Sequence, residues 1–233
     1  MSFALRKFEW VPTLMASAGF LLMATLGAWQ LQRLEWKEGL IAQVTTAYQQ
    51  SPLTALPKTP EELKSAEFFP VALKGKFDSD TEFHIAARYY RSKLGYHILA
   101  PFILSDGRVV LVNRGWVPAD KKESATRRET NPEKIREVHG IIHSGGKKSW
   151  ALPDNQPEKN LWFWYATDAM GKTTGKDYLN VVIDATGQED LNQLPIPAGA
   201  IPKLRNDHLG YAITWFGIAI AIAVIWAVYH RKP

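Results

Sequence analysis

The sequence predicts a membrane protein in which two transmembrane α-helices, one near each end, flank a mainly antiparallel, barrel- or sandwich-like β domain. The stretches 10–32 and 209–229 contain no charged residue and are 23 and 21 residues long. A helix of that length crosses the hydrocarbon core of a bilayer, which is about 30 Å thick. Between them lie seven short stretches rich in β-branched and aromatic residues, which are typical of strands.

The distribution of charge predicts how the chain is oriented. The net charge is +5, but Arg6 and Lys7 precede the first apolar stretch, and Arg231 and Lys232 follow the second. Short basic flanks favour the cytoplasmic side, whereas a long middle segment is exported largely regardless of its own charge. We therefore expect both termini in the cytoplasm and the nearly neutral middle domain outside. The excess of basic residues is then explained by the orientation of the chain in the membrane and does not indicate nucleic-acid binding.

The short first tail indicates which membrane holds the protein. Only nine residues precede the first apolar stretch, too few for an Arg-rich transit peptide. We therefore expect the bacterial inner (cytoplasmic) membrane, with the middle domain in the periplasm. The stretch is also longer than the apolar core of a signal peptide, so we expect it to be retained as a transmembrane helix.

The helical pattern continues beyond the first predicted span. Leu34, Ile41 and Tyr48 recur every seven residues, which predicts a stalk helix on residues 33–50. Prolines break it, and a short helix is expected from Glu61 to Ser65. The predicted order is a cytoplasmic tail 1–9, a transmembrane helix 10–32, a stalk 33–50, a periplasmic β-rich domain 51–207, a transmembrane helix 208–229 and a cytoplasmic tail 230–233.

The middle segment is divided into strands by Gly, Pro, Asp and Asn. The predicted strands are 71–77, 81–87, 96–104, 108–116, 137–143, 161–165 and 178–184. Asp106-Gly107 predicts a tight hairpin turn, and residues 119–133 are expected to form polar helix or loop. Because strands and helices do not alternate regularly, the pattern favours an antiparallel barrel or sandwich.

Several classes of enzyme are excluded by missing residues. The chain has no cysteine, which removes disulfides, thiolate metal sites and a cysteine nucleophile. Residues 166–173 match only a permissive phosphate-loop pattern: Ala166 replaces its first glycine, and Asp168 has the wrong charge for phosphate. A plain helix that stops at a glycine is the favoured interpretation. The exported domain is predicted to be a binding module and not an enzyme.

The histidines of the middle domain do not form a metal site by spacing. His139 and His143 lie four residues apart in a predicted strand, about 13 Å from one another. His84 and His97 could face each other across a hairpin, but no third ligand is placed beside them. Hydrogen-bonded structural histidines are the favoured interpretation.

The outer ends of the two predicted spans carry polar and aromatic triplets: Trp29, Arg33 and Trp36 in the first, and His208, Tyr211 and Trp215 in the second. Helical spacing places each triplet on one face. Packed spans would bring an imidazole, a guanidinium and four aromatic rings to one level of the membrane. An aromatic belt with a snorkelling arginine accounts for all except the histidine. An imidazole at this depth needs a hydrogen-bond partner or an iron atom.

Four blocks of sequence carry a resemblance to a known family: Gly27-x-Trp29-Gln30-x-x-Arg33-x-x-Trp36-Lys37, Leu111-Val112-Asn113-Arg114-Gly115-Trp116-Val117-Pro118, Asn206-x-His208-Leu209-x-Tyr211-Ala212-x-x-Trp215-Phe216, and Pro153-x-Asn155 followed by Trp162 and Asp168. In these blocks the chain resembles a bacterial member of the Surfeit locus family of cytochrome c oxidase assembly factors, called Shy proteins in yeast. One departure is Ala100, where threonine is expected.

The resemblance implies a factor that binds or delivers haem a while the largest subunit of a haem-copper oxidase matures. It implies that His208 ligates the haem iron. The aromatic rings of Trp29, Trp36, Tyr211 and Trp215 would line the porphyrin, and Arg33 or Arg205 would pair with the propionates. The expected partners are that oxidase subunit, haem a synthase and the lipid bilayer.

The middle domain offers a candidate contact for the oxidase. Arg114 and Trp116, which lie where a predicted strand ends, are candidate partner-binding residues, although a buried Trp116 that only supports folding would fit equally.

A second function stays open beside the first. A permanent accessory subunit of the oxidase would use the same spans for helix packing without binding haem, and the small residues Gly210 and Gly217 would suit that. Copper delivery is disfavoured, because four methionines and no cysteine leave no soft ligand set for Cu(I).

Overall fold

The chain forms two compact units. The computed structural model describes residues 9–78, 80–127, 135–146, 148–187, 194–197 and 205–231. A helical unit is drawn from residues 1–43 and 203–233, and a β unit from residues 44–202.

The elements follow the predicted order. The helices are α1 (Trp10–Tyr48), α2 (Pro60–Ser65), α3 (Thr167–Thr174) and α4 (His208–Tyr229). The strands are β1 (Pro70–Phe77), β2 (Phe83–Tyr90), β3 (Lys93–Leu104), β4 (Val109–Pro118), β5 (Arg136–Ser144), β6 (Leu161–Trp162) and β7 (Val181–Ala185). All seven predicted strands are present, and the two apolar helices are each long enough to cross a membrane. The predicted fold class is confirmed.

Several strand boundaries differ from the prediction by two or three residues, and side chains that bind the backbone explain two of them. β2 begins at Phe83, since the carboxylate of Asp78 accepts hydrogen bonds from the Asp80 amide and the Thr81 hydroxyl and holds this segment in a turn. β6 ends at Trp162, because the side chain of Asn155 accepts a 2.8 Å hydrogen bond from the next backbone amide. Side-chain caps of this kind compete with strand pairing.

The structure also shows the conformation of two further segments, residues 119–127 of the predicted segment 119–133 and the phosphate-loop-like residues 166–173. Short 3₁₀ turns occupy Ala119–Lys121 and Ser124–Thr126, and residues 128–133 of that prediction lie outside the described residues. Residues 167–174 form the helix α3, which ends at Gly175 with a left-handed φ of +68°. Met170 of α3 is fully buried, so this helix is part of the core.

Helices α1 and α4 pack side by side in opposite directions. The contacts are Glu9 with Tyr229, Thr13 with Trp226, Gly19 with Ile222, Gly27 with Phe216, and Gln30 with His208. Gly27 permits a close approach, since a Cβ there would lie 2.8 Å from the Phe216 ring. The helical unit is thus an antiparallel pair joined by polar contacts at both ends.

Five strands of the β unit close into a ring. β1 pairs with β5 and β3, β3 with β4, β4 with β7, and β7 with β5. Only the β4–β7 pair in this ring is parallel. β2 extends the sheet from β3, and β6 follows β2 in parallel. The ring makes the domain a barrel, one of the two architectures that the sequence left open.

Successive residues along the strands of the ring belong alternately to two hydrophobic clusters. Val110 and Val112 on β4 belong to a cluster that includes Leu73, Phe102, Ile142 and Ile183. Leu111, which points to the opposite face, belongs to a second cluster with Phe83, Trp162, Met170 and Val182. Both faces of the central strands are therefore buried, which explains their continuous hydrophobic runs.

Candidate functional site

The first residue of α4 contacts α1 through a polar hydrogen bond. The Nδ1 atom of His208 lies 2.7 Å from Oε1 of Gln30, a buried residue of α1. An amide oxygen only accepts, so in the neutral ring Nδ1 carries the proton and Nε2 holds the lone pair. In the part of the chain that the structure describes, Nε2 has no hydrogen-bond partner. His208 therefore presents the tautomer whose Nε2 is able to bind a metal.

Arg33 lies between two indole rings on the neighbouring face of α1. Its guanidinium carbon is 5.7 Å from the ring centroid of Trp29 and 5.4 Å from that of Trp36, distances at which a cation is attracted to an aromatic face. The indoles are 46% and 58% exposed. The structure thus brings the α1 triplet together as a stack that faces out of the helical unit.

The aromatic residues of α4 line the same flank of the helical unit less closely. Tyr211 is 55% exposed and Trp215 is half-buried. With about 100° of rotation per residue, Tyr211 points to the side of the antiparallel pair on which Arg33 lies. No hydrogen bond or ring contact joins Tyr211 or Trp215 to the α1 triplet within the described residues. The observed contacts join Arg33 to the two indoles of α1 and His208 to Gln30, and the binding roles of the six predicted cofactor residues stay predictions.

Arg114 and Trp116 make their contacts inside the β unit. Nη1 of Arg114 lies 3.7 Å from Oε1 of Glu82, and its guanidinium carbon is 5.1 Å from the Phe77 ring centroid. Trp116 is 5% exposed, and its indole donates a 3.1 Å hydrogen bond to the carbonyl of Arg88. These contacts explain why both side chains are ordered, while their partner-binding role stays a prediction.

The glycine between them is required by its position. Gly115 has a φ of +122°, and a Cβ there would lie 1.9 Å from the carbonyl oxygen of Ile196. Backbone hydrogen bonds join Trp116 and Ile196 in both directions, at 2.7 and 2.8 Å. The Arg-Gly-Trp run is therefore the point at which a distant segment docks on β4.

Asn113 is the centre of a buried polar network that the sequence analysis did not single out. Its Nδ2 lies 3.0 Å from His97 Nδ1, 3.1 Å from the Tyr165 hydroxyl and 2.9 Å from Asp184 Oδ1. Burial, reinforced by the Arg88 cation, lowers the pKa of His97 from 6.5 to about 4, although Asp184 opposes this. His97 is therefore neutral at pH 7 and able to accept from Asn113.

The same network keeps Tyr165 protonated. Burial and the nearby Asp184 carboxylate raise the pKa of Tyr165 well above 10. Its hydroxyl donates a 3.0 Å hydrogen bond to Asp184 Oδ1. The network links three strands of the ring, and at neutral pH the two protons on Asn113 Nδ2 are shared among uncharged His97, Tyr165 and Asp184.

A second polar cluster surrounds Glu82. Nη2 of the buried Arg127 lies 2.7 and 2.5 Å from the two carboxylate oxygens of Glu82. Burial raises the pKa of Glu82, but His84, Arg127 and Arg114 outweigh it, so the pKa of Glu82 lies below its usual value. Glu82 is thus held as an anion, and it pairs directly with Arg114 as well as with Arg127.

His84 and His97, which the sequence allowed to face each other, do not do so. The register pairs His84 with Ile98 and His97 with Ile85, so the two histidines lie on opposite faces of the hairpin. The hydrogen-bonded interpretation is correct for His97, whereas neither ring nitrogen of His84 has a hydrogen-bond partner in the described structure. No group of three or more His, Asp or Glu side chains that could hold a metal ion occurs among the residues that the structure describes.

The β unit also contains a cleft of about 850 Å³ beside α2. Arg88, Trp164, Tyr165 and Asn180 contribute to its walls, and the indole nitrogen of Trp164 is buried without a hydrogen-bond partner. No local sequence pattern predicts this cleft, because its walls come from segments far apart in the chain.

Comparison with known proteins shows extensive similarity over both units. Residues 18–220 match the SURF1 family. The chain is 35% identical to Surfeit locus protein 1 of Rattus norvegicus over 216 residues, covering 86% of this chain and 70% of the rat protein. It is 32% identical to the Homo sapiens protein of the same name over 94% of this chain and 76% of that protein. A SURF1-like protein of Rickettsia conorii is 32% identical over 91% of this chain and 88% of its own length.

Proposed function

Because the chain belongs to the SURF1 family of cytochrome c oxidase assembly factors, we propose that it binds haem a through His208 during maturation of the largest oxidase subunit. The haem is a cargo, held in the membrane until it is inserted into the oxidase. The protein acts by binding and orienting, without catalysing a reaction of its own.

The hydrogen bond from His208 to Gln30 carries the proposal. A histidine that ligates a metal almost always donates its other ring N–H to an oxygen acceptor, which fixes the tautomer and the direction of the ring. Gln30 Oε1 provides that acceptor at 2.7 Å. The residues present therefore fit a haem whose iron is bound by Nε2 of His208.

The neighbouring residues suit the rest of a haem. Trp29, Trp36, Tyr211 and Trp215 supply aromatic surface for a flat apolar ring. Arg33 has no carboxylate partner within the described residues, and stacking between two indoles leaves the edge of its guanidinium available for a propionate. Bound haem would supply the iron that accepts the imidazole lone pair. An open flank with one strong ligand suits a cargo that must leave again.

The orientation of the protein is part of the proposal. The basic residues that flank the two apolar helices favour cytoplasmic termini, which puts the barrel in the periplasm of a bacterium and the His208 end of α4 at the outer interface. Arg114 is then a candidate contact for the oxidase, because its side chain on β4 remains 18% exposed. Haem a synthase is a candidate source of the cargo.

One observation favours the alternative of a permanent accessory subunit. Gly210 and Gly217 lie away from the α1 contact, and a Cβ built at either meets nothing within 4 Å. A small-residue surface of this kind would allow another transmembrane helix to approach closely. An accessory subunit would co-purify with mature oxidase in equal amounts, whereas an assembly factor would be substoichiometric.

The optical spectrum of the purified protein tests the proposal. Protein isolated from cells that make haem a should show the bands of bound haem. The His208→Ala variant should insert into the membrane normally but lack these bands, and it should yield less assembled oxidase. If His208→Ala bound haem at the wild-type level, His208 would not be the ligand of the haem iron. If neither protein bound haem while both associated with the oxidase, the accessory-subunit function would be favoured.

A further inference from the structure

We propose that Gln30 is a positioning residue that sets how strongly His208 binds the haem iron. The inference rests on the proposed function and adds a second residue to it. Gln30 accepts the Nδ1 proton of His208 and thereby directs Nε2 toward the iron. The strength of that hydrogen bond determines how much electron density the imidazole donates.

The position of Gln30 in α1 supports this role. Its side chain is buried, whereas the adjacent Trp29 and Leu31 are exposed. Gly27, one turn earlier on the same face, packs against the Phe216 ring of α4 and leaves no room for a Cβ. Gln30 is thus held at the helix–helix contact, and its amide has little freedom to turn away from His208.

His208 depends on this contact for its orientation. It is the first residue of α4, and the preceding Asp207 makes no side-chain cap to the helix. The bond to Gln30 is the hydrogen bond that the structure gives to the His208 ring. Without it, the imidazole would be free to rotate and to exchange its tautomer.

An amide acceptor suits a carrier better than a carboxylate would. A carboxylate pulls the Nδ1 proton more strongly, gives the imidazole anionic character and strengthens its bond to ferric iron. It would also put a charge at the buried helix contact, where a charge is costly. The neutral amide fixes the tautomer while keeping the iron–imidazole bond at moderate strength, which allows the haem to be released.

Variants at Gln30 separate positioning from helix packing. Gln30→Leu removes the acceptor with little change in volume, and Gln30→Glu makes it anionic. Gln32→Leu is the matched control, because Gln32 is exposed on the same helix and makes no contact with His208. Each full-length variant is titrated with haem a in detergent, and the reduction potential of the bound haem is measured.

We expect Gln30→Leu to weaken haem binding by about 10- to 100-fold, as loss of such a partner does at other metal sites, and to raise the reduction potential. Gln30→Glu should retain the haem and lower the potential, and Gln32→Leu should match the wild type. A packing role alone would leave the potential unchanged in both Gln30 variants, and that result would overturn the inference while the proposed function stood. If Gln30→Leu did not fold, an unchanged reduction potential of the haem in Gln30→Glu would by itself overturn the inference about Gln30. Absence of haem from the wild type would instead refute the proposed function.

Discussion

Asn113 on β4 and Asp184 on β7 are register partners in the one parallel pair of the barrel ring, and their side chains meet at 2.9 Å. The same amide reaches His97 on β3 and the hydroxyl of Tyr165. A buried network is stable only while each member is satisfied. The protonation state of His97 therefore influences the stability of the ring.

Acidification should destabilise the barrel through His97. Its pKa is about 4 in the folded protein and 6.5 when unperturbed, so between these values the unfolded chain binds a proton that the folded chain does not. Stability should be greatest above pH 6.5 and fall by about 3 kcal/mol by pH 4. The measurement is the unfolding free energy as a function of pH. His97→Gln should flatten this dependence, whereas the exposed His139→Gln should preserve it; equal pH profiles for wild type and His97→Gln would contradict the prediction.

Enlarging Gly27 should separate the two apolar helices. A Cβ at this position lies 2.8 Å from the Phe216 ring, so Gly27→Val forces a shift and should lower the unfolding temperature in detergent. Gly39→Val is the control, because nothing lies within 4 Å of a Cβ there. The double variant Gly27→Val with Phe216→Ala should recover part of the loss, since the two residues share one contact. Equal unfolding temperatures for the two single variants would show that Gly27 is not a packing position.

Arg114 and Trp116 should respond differently to truncation. Trp116→Ala should lower stability by about 3–5 kcal/mol, as large-to-small changes in a core do, because the indole is buried. Arg114→Ala should fold normally but weaken association with the largest oxidase subunit. The two measurements are the unfolding free energy and co-purification of that subunit. A folded Arg114→Ala protein with unchanged association would remove Arg114 from the interface.

The orientation in the membrane is testable with fusions. A reporter enzyme that is active only in the periplasm should be active when fused after Asn155 and silent when fused after Pro233, because the flanking basic residues favour the cytoplasm. Production of both fusions is verified by immunoblot. The opposite pattern would place the barrel in the cytoplasm.

The helices and strands could be predicted from the sequence because the patterns that identify them are local. Absence of charge identifies α4 and the first part of α1, a seven-residue repeat identifies the rest of α1, and β-branched and aromatic stretches identify the seven strands. The start of β2 was missed because the Asp78 side chain caps the backbone, an effect that residue type alone does not reveal. Closure of the ring depends on the β1–β3 pairing, which no local pattern specifies.

The candidate site was predictable only where its residues lie on one helix, because contacts between helices have no local sequence pattern. The spacing of Trp29, Arg33 and Trp36 is a property of one helix, and the structure reproduces their common face. Gln30 belongs to the first of the four sequence blocks, but nothing in that block indicates its contact with His208, which is 178 positions away in the chain. That contact depends on how α1 and α4 align, which becomes known only from the packed helices.

The closed ring restricts how another protein can recognise the barrel. Each of its five strands has a neighbour on both sides, so the ring offers no open edge to which a peptide could add as an extra strand. Outside the ring, β6 is only two residues long. A partner of the ring is therefore recognised by side chains and shape, and closure keeps these five strands from pairing edge to edge. Among the described residues, the second half of β2, where residues 88–90 pair with β3 alone, is a part of the sheet that this closure does not protect.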